Sequence, residues 1–237
     1  MRSGELDYAG LGDADLVDLF KARDSGAVRF IAEKNNQRLF RAAWAVLRDS
    51  AEAEDAVQGG YLKAIAAIDS FEGRSKLSTW LTRIVINEAL TQRRSARRRA
   101  TRIADVDTGG TEQGNPDEGR LPPDLSTPEH HVANVQLQKA LKQALDRLPD
   151  IYRIVFVLRE IEGMTVDETA AALDVLPATI KTRFFRARHM LRAQLASFDR
   201  TDLDGFLTFA GDACSSLTAR LADLIAAQPA HSPSWLH

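Results

Sequence analysis

Two runs of cationic side chains are set apart in an otherwise balanced chain. Residues 91–102, TQRRSARRRATR, carry six arginines and no acid, and residues 181–192, KTRFFRARHMLR, carry five Lys/Arg and no acid. Between them, residues 103–136 carry seven acids against one arginine. Cations at this density bind phosphate, so the pattern points to two anion-binding surfaces joined by a spacer. The net charge of −2 over 237 residues conceals that segregation. Catalytic chemistry has less to work with. Glu52, Glu54 and Asp55 are close in sequence, but they fall in the first turns of a helix, where its positive end accounts for them. Cys214 is the single cysteine, with no His or Cys beside it, and His130, His131, His231 and His237 have no ligand spacing. No metal site, no cofactor and no internal disulfide are expected.

The elements that must hold these cations are helices. Asp13 to Lys21 reads as a short amphipathic helix, broken by Arg23-Asp-Ser-Gly26. A second follows from Ala27 to Leu47, with Phe30, Ile31, Leu39, Phe40, Ala43, Trp44 and Leu47 at helical spacing. Asp49 and Ser50 are suited to cap a third helix. After DSFEGRSK, residues 69–76, a fourth runs from Ser78 to about Arg98 and carries the first arginine run. Residues 103–134 are rich in Gly, Pro, Asp and Glu and lack apolar periodicity, which marks a flexible linker. Beyond it, Val135 to Leu148 reads as a helix ended by Pro149. Residues 151–161, IYRIVFVLREI, are β-branched enough for a strand, but with no partner strand the helical reading is preferred. Gly163 turns the chain. Thr165 with Glu168 has capping-box spacing for a helix that ends near Asp174, and Pro177 suits the first position of the next. Two short helices across a tight turn, the second basic, form a helix-turn-helix candidate. In that second helix Ile180, Phe184, Ala187 and Leu191 form one stripe, while Lys181, Thr182, Phe185, Arg188, His189 and Arg192 project oppositely, flanked by Arg183 and Arg186. The fold class is all-α: two small helical domains, a linker, and an amphipathic C-terminal extension.

No apolar run approaches the roughly 20 residues that span a bilayer, so no membrane insertion is expected. The acidic N-terminus lacks an apolar signal core, and the cytoplasm is the expected compartment.

Three segments together carry a family resemblance: AEDAVQGGYLKA (53–64), LSTWLTRIVINEALTQRRSARRR (77–99), and residues 148–192 from LPDIYRIVF to RARHMLR. In this order they resemble a bacterial RNA polymerase sigma factor of the sigma-70 family, extracytoplasmic-function (ECF) group. The resemblance implies region 2 at 14–100, a linker at 101–134 and region 4 at 135–196, leaving 197–237 as an extension without an assigned role. It implies core RNA polymerase and promoter DNA as partners, an anti-sigma protein as regulator, and no enzymatic activity. A free-standing helix-turn-helix regulator shares the second half, yet it has no use for the first.

Residue by residue, the resemblance places polymerase docking on Asp55, Gln58, Gly59 and Leu62, opposite a buried stripe of Val57, Tyr61, Ala64 or Ile65, and Ile68. Minus-ten reading and melting fall to Phe71, Ser75, Lys76, Leu77 and Asn87, with Arg93, Arg94, Arg97 and Arg98 on duplex phosphates; Trp80 is read as core. Minus-thirty-five reading falls to Lys181, Thr182, Arg183, Phe185, Arg186 and Arg188. Lys181 stands where relatives often have arginine and lacks its planar fork. The proline of VLPAT stands one residue later than usual in the family.

The pair Gly59-Gly60 belongs to a helix rather than a phosphate loop, because apolar periodicity runs through it and no Gly-Lys-Ser/Thr follows. A small residue at 60 is ordinary in the family, whereas 59 usually holds an acid. An acid restored at 59 is expected to strengthen the helix without weakening docking.

Overall fold

Helices begin in this chain where a short polar side chain can accept a backbone N–H ahead of an apolar run. The computed structural model describes residues 7–104 and 143–195, together with Thr218. Helix α1 spans Asp13–Lys21 and α2 Ser25–Leu47. Asp24 caps α2 by accepting from the Ala27 N–H at 2.8 Å, which starts the helix two residues earlier than its apolar pattern does. That bond, with a second from the Tyr8 hydroxyl, holds the Asp24 carboxyl below its ordinary pKa. Helix α3 spans Ser50–Ala67, capped by Asp49 on the Glu52 N–H at 2.8 Å. Helix α4 spans Leu77–Ala104. It therefore continues past residue 100, and residues 101–104 belong to the helix rather than to the linker.

The second group contains helical residues 143–146, then α5 (Asp150–Phe156), α6 (Val166–Leu173) and α7 (Pro177–Leu195). Residues 151–161 are helical, as expected, and Val157–Ile161 widen into a π turn in which the Glu162 N–H bonds the Val157 carbonyl at 2.9 Å. The Thr165–Glu168 capping box forms in full, with bonds of 3.1 and 2.8 Å. Gly163 (φ 63°) makes the turn before α6, and Asp174 (φ 54°) ends that helix in the left-handed region. No strand occurs among the described residues.

Helix α2 is the axis of the molecule. From Leu39 to Val46 every side chain is buried, because α3 and α4 cover one side and the second group covers the other. A helix enclosed all round needs partners on all sides. Its C-terminal carbonyls have no partner within the helix. Arg153 of α5 donates to the Ala45 carbonyl at 2.8 Å, and Arg93 of α4 donates to the Val46 carbonyl at 3.2 Å. Asp150 bridges the two arginines, pairing with Arg153 and, at 2.5 Å, with Arg93. Arg153 is 0% exposed, and burial pushes its pKa down from the usual arginine value.

Both glycines lie inside α3. At Gly60 a Cβ would stand 2.5 Å from Val85 Cγ2 and 3.2 Å from the Val85 Cα, so only glycine permits this approach of α3 to α4. At Gly59 the nearest atom is Glu88 Oε1 at 3.4 Å, an ordinary contact. Opposite outcomes are expected for alanine. Gly59→Ala gains up to about 1 kcal/mol of helix stability, while Gly60→Ala loses on the order of 1–3 kcal/mol through overpacking. Urea denaturation of the two variants checks both signs.

A second expectation concerns the buried guanidinium. Arg153→Leu strands the Ala45 and Leu148 carbonyls and leaves Asp150 with one partner fewer. A loss of about 3 kcal/mol or more is expected. A denaturation midpoint indistinguishable from that of the parent chain would remove Arg153 from its central place.

Candidate nucleic-acid interface

Helix α7 divides its faces as its period requires. Ile180, Ala187 and Leu191 are buried and Phe184 is half-buried, stacked on Phe156 at 6.4 Å. Lys181, Thr182, Phe185, Arg186, Arg188 and His189 are exposed and Arg183 is half-buried. Phe185 is 72% exposed, which places a large ring in water beside the cations. A shallow depression next to them is lined by Ile151, Tyr152, Ala178, Thr179, Thr182, Arg183 and Arg186. Arg186 approaches the Tyr152 hydroxyl at 3.4 Å, and Arg188 lies over the Phe184 ring at 5.8 Å. Pro177 occupies the first turn, with the Leu176 carbonyl accepting from the Thr179 N–H at 2.9 Å. A helix presenting one cationic, hydrogen-bonding face above a buried apolar face has the form of a groove-reading helix.

The second basic face lies on α4 and the loop before it. Asn87, Arg94, Arg97 and Arg98 are exposed, Arg93 and Ser75 are half-buried, and Lys76 is exposed. Gly73 (φ 69°) turns the loop with nothing within 4 Å of where its Cβ would be. Phe71 is half-buried and meets Trp80 edge-on at 5.4 Å, so both rings are packed on the loop's own helix. Leu77 requires a correction. It is 3% exposed and belongs to the core, and its N–H is capped by Asp13 of α1 at 2.9 Å. Leu77 therefore anchors the loop and does not line the reading surface. Arg83 was not singled out by sequence reasoning. It stands seven residues from Lys76 and four from Asn87, two helical repeats that put all three on one stripe.

On α3, Asp55 is exposed while Gln58 and Leu62 are half-buried; Val57, Tyr61, Ala64, Ile65 and Ile68 are buried, as the stripe predicts. Gly59 is a second correction. It faces the Glu88 carboxylate, which pairs with Lys63, rather than open solvent beside Asp55. An acid there would meet a like charge, so the expected benefit of restoring one does not hold at this site.

Tyr61 donates to the Asn36 carboxamide at 3.0 Å, and Asn36 donates to the hydroxyl of Thr218 at 3.0 Å. Thr218 thus joins the extension to the first helical group. Cys214, the paired histidines 130 and 131, residues 105–134 of the linker, residues 135–142 of the helix expected from Val135 to Leu148, and the rest of the 197–237 extension lie outside the described residues. Among the described residues no group of three His, Cys, Asp or Glu could hold a metal ion, and no helix is long and apolar enough to cross a membrane.

Comparison with known proteins agrees with this layout. The sigma-70 region 2 family model matches residues 31–99, and the sigma-70 region 4 model matches residues 138–191. The chain is 33% identical to the ECF RNA polymerase sigma factor SigW of Bacillus subtilis over 182 residues, covering 77% of this chain and 88% of SigW. It is 34% identical over 142 residues to the ECF RNA polymerase sigma-E factor of Escherichia coli K12, covering 60% of this chain and 73% of that one. Among solved structures, it resembles the sigma factor RpoE in complex with the anti-sigma factor NepR from Bartonella quintana. There the TM-score is 0.53 at 27% identity, covering 72% of this chain and 95% of RpoE. CnrH, solved with the cytosolic domain of CnrY, shares the fold with a TM-score of 0.54 at 22% identity, covering 79% of this chain and 99% of CnrH. The chain belongs to the ECF subfamily of sigma-70 RNA polymerase sigma factors, the promoter-directing subunits of transcription initiation.

One titration reports on the geometry around α6. The Lys76 ammonium at 2.7 Å, followed by the Thr165 N–H, lowers the Glu168 pKa from 4.5 to about 2. The ionised carboxylate is the stabilising form, so its contribution is full above pH 4.5 and is lost as pH falls through about 2. Lys76→Met is expected to move this titration up toward 4.5. Carboxyl-carbon NMR reads the shift, and an unmoved value would assign the depression to the helix cap alone.

Proposed function

We propose that this sigma factor docks on core RNA polymerase through the α3 face bearing Asp55, Gln58 and Leu62. Region 2, residues 14–100 with α4 extending to 104, then presents Ser75, Lys76, Asn87 and the arginines 93, 94, 97 and 98 to the minus-ten element. A base taken out of the stack is held there, as single-stranded readout demands. Region 4, residues 135–196, places α7 in the major groove at the minus-thirty-five element. Lys181, Thr182 and Arg186 face base edges and phosphates, with Phe185 and Arg188 beside them. Arg183 supports the register of the helix. The protein works in the cytoplasm, catalyses no reaction itself and is held in check by an anti-sigma partner, a reading supported by RpoE, which was solved in complex with the anti-sigma factor NepR.

The observation that carries this reading is the exposure of Lys181, Thr182, Phe185, Arg186 and Arg188 on α7 opposite the buried Ile180, Ala187 and Leu191. A lone DNA-binding regulator accounts for α7 but leaves the region 2 match over residues 31–99 without a purpose. Run-off transcription with core polymerase on genomic fragments tests the proposal. The chain is expected to direct initiation at discrete start sites, and Arg186→Ala to reduce it about tenfold or more, in line with about 1–3 kcal/mol for a base-contacting side chain. Failure to co-purify with core polymerase would defeat it.

A further inference from the structure

Region 4 gathers hydrogen-bond donors along one flank of α7. The depression there has a volume of about 330 Å³ and lies between α5 and the side of α7 that carries Thr179, Arg183 and Arg186. Its lining offers two guanidinium groups and three hydroxyls, those of Tyr152, Thr179 and Thr182. Among the described residues that lining holds no carboxylate. Ile151, 48% exposed, adds an apolar wall. A guanidinium only donates, and a hydroxyl has a proton to give. Donors converging without an acid suit an oxyanion, which only accepts.

Tyr152 is the residue of α5 that joins this flank. Its side chain is half-buried, and its hydroxyl oxygen accepts from Arg186 Nη1 at 3.4 Å. The same hydroxyl keeps its own proton for a second partner. The position of the flank says what that partner is. An α-helix with its side chains is about 10–12 Å across, and the major groove is about 12 Å wide. A helix lying in that groove has a phosphate strand close along each side. The depression is on the α5 side, so one strand passes over it.

We propose that this depression seats one backbone phosphate of the promoter duplex, with Tyr152 as its central donor. The tyrosine hydroxyl donates to a phosphate oxygen while it accepts from Arg186. Arg183 supplies charge to the same seat, and Thr179 a second hydroxyl. Tyr152 is thereby also a positioning residue, because it sets where the Arg186 guanidinium stands over the base edges. A long exposed side chain loses rotamer freedom when it reads a base, and a contact that already orders it lowers that loss. Contact with the strand and the reading of a base are thus joined in one residue of the neighbouring helix. This inference rests on the assignment of α7 as the minus-thirty-five reader.

The test uses the full chain assembled with core polymerase and a promoter duplex recovered by run-off transcription. A series of duplexes carries one uncharged methylphosphonate at each backbone position of the minus-thirty-five element in turn. The parent is expected to lose about tenfold in affinity at one position, as for a hydrogen bond to a charged group. Tyr152→Phe keeps the ring and removes only the hydroxyl. It is expected to bind the unmodified duplex about tenfold more weakly, and to lose most of its sensitivity at that same position. Its discrimination at the base pair read by Arg186 should fall as well. Thr179→Val removes a second hydroxyl at nearly constant shape and is expected to blunt the same position. Parent-like binding by Tyr152→Phe overturns the proposal. So does a loss equal at every methylphosphonate position, which would trace the effect to the fold as a whole. If the parent initiates on no fragment, the assignment as promoter reader fails. Initiation by the parent, with full sensitivity kept by Tyr152→Phe at every position, sinks the phosphate seat alone.

Discussion

A guanidinium with no access to water must find all its partners in protein, and Arg153 does so across the junction between the two helical groups. Its bonds reach the Ala45 carbonyl of α2, the Leu148 carbonyl of its own group, and Asp150. The α2 carbonyl is itself an orphan at a helix end, so each group supplies what the other lacks. Asp150 then recruits Arg93, which closes on the neighbouring Val46 carbonyl. Removing any one member leaves a buried polar atom unpaired, and such atoms are expensive. The junction is therefore specific in a way that apolar packing alone is not.

Around that centre the remaining pairs grade from buried to exposed. Glu162, with its side chain 8% exposed, takes both Arg41 and Arg38. Toward the rim, Lys76–Glu168 and Arg83–Asp174 are wet and correspondingly weak. The strong contacts thus lie near the end of α2 and the weak ones along the start of α4. The arrangement combines a packed centre with a solvated rim.

What was legible in the residues was local. Asp49, Thr165 with Glu168, Gly163 and Pro177 act on atoms within a few positions, and each performs the turn or cap its type suggests. The open face of α7 follows from helical period alone. What escaped was set by distant partners. Leu77 is drawn into the core by α1, sixty-four residues earlier in the chain. Gly59 looks outward on a helical wheel but faces Glu88 of the adjoining helix. Arg153 interrupts the apolar run IYRIVFVL, but the carbonyls it reaches lie on a helix more than a hundred residues earlier, which its neighbours do not signal. Arg83 could have been found, because the interval of seven from Lys76 is a helical repeat.

Gly60 has a mechanical side. With no side chain to hold them apart, α3 and α4 touch backbone to side chain at Val85, leaving no compressible layer between them. The pair behaves as a single stiff plate, with the surface around Asp55 on one helix and that around Asn87 on the other. Any side chain at position 60 would have to force the two helices apart and change the angle between those surfaces.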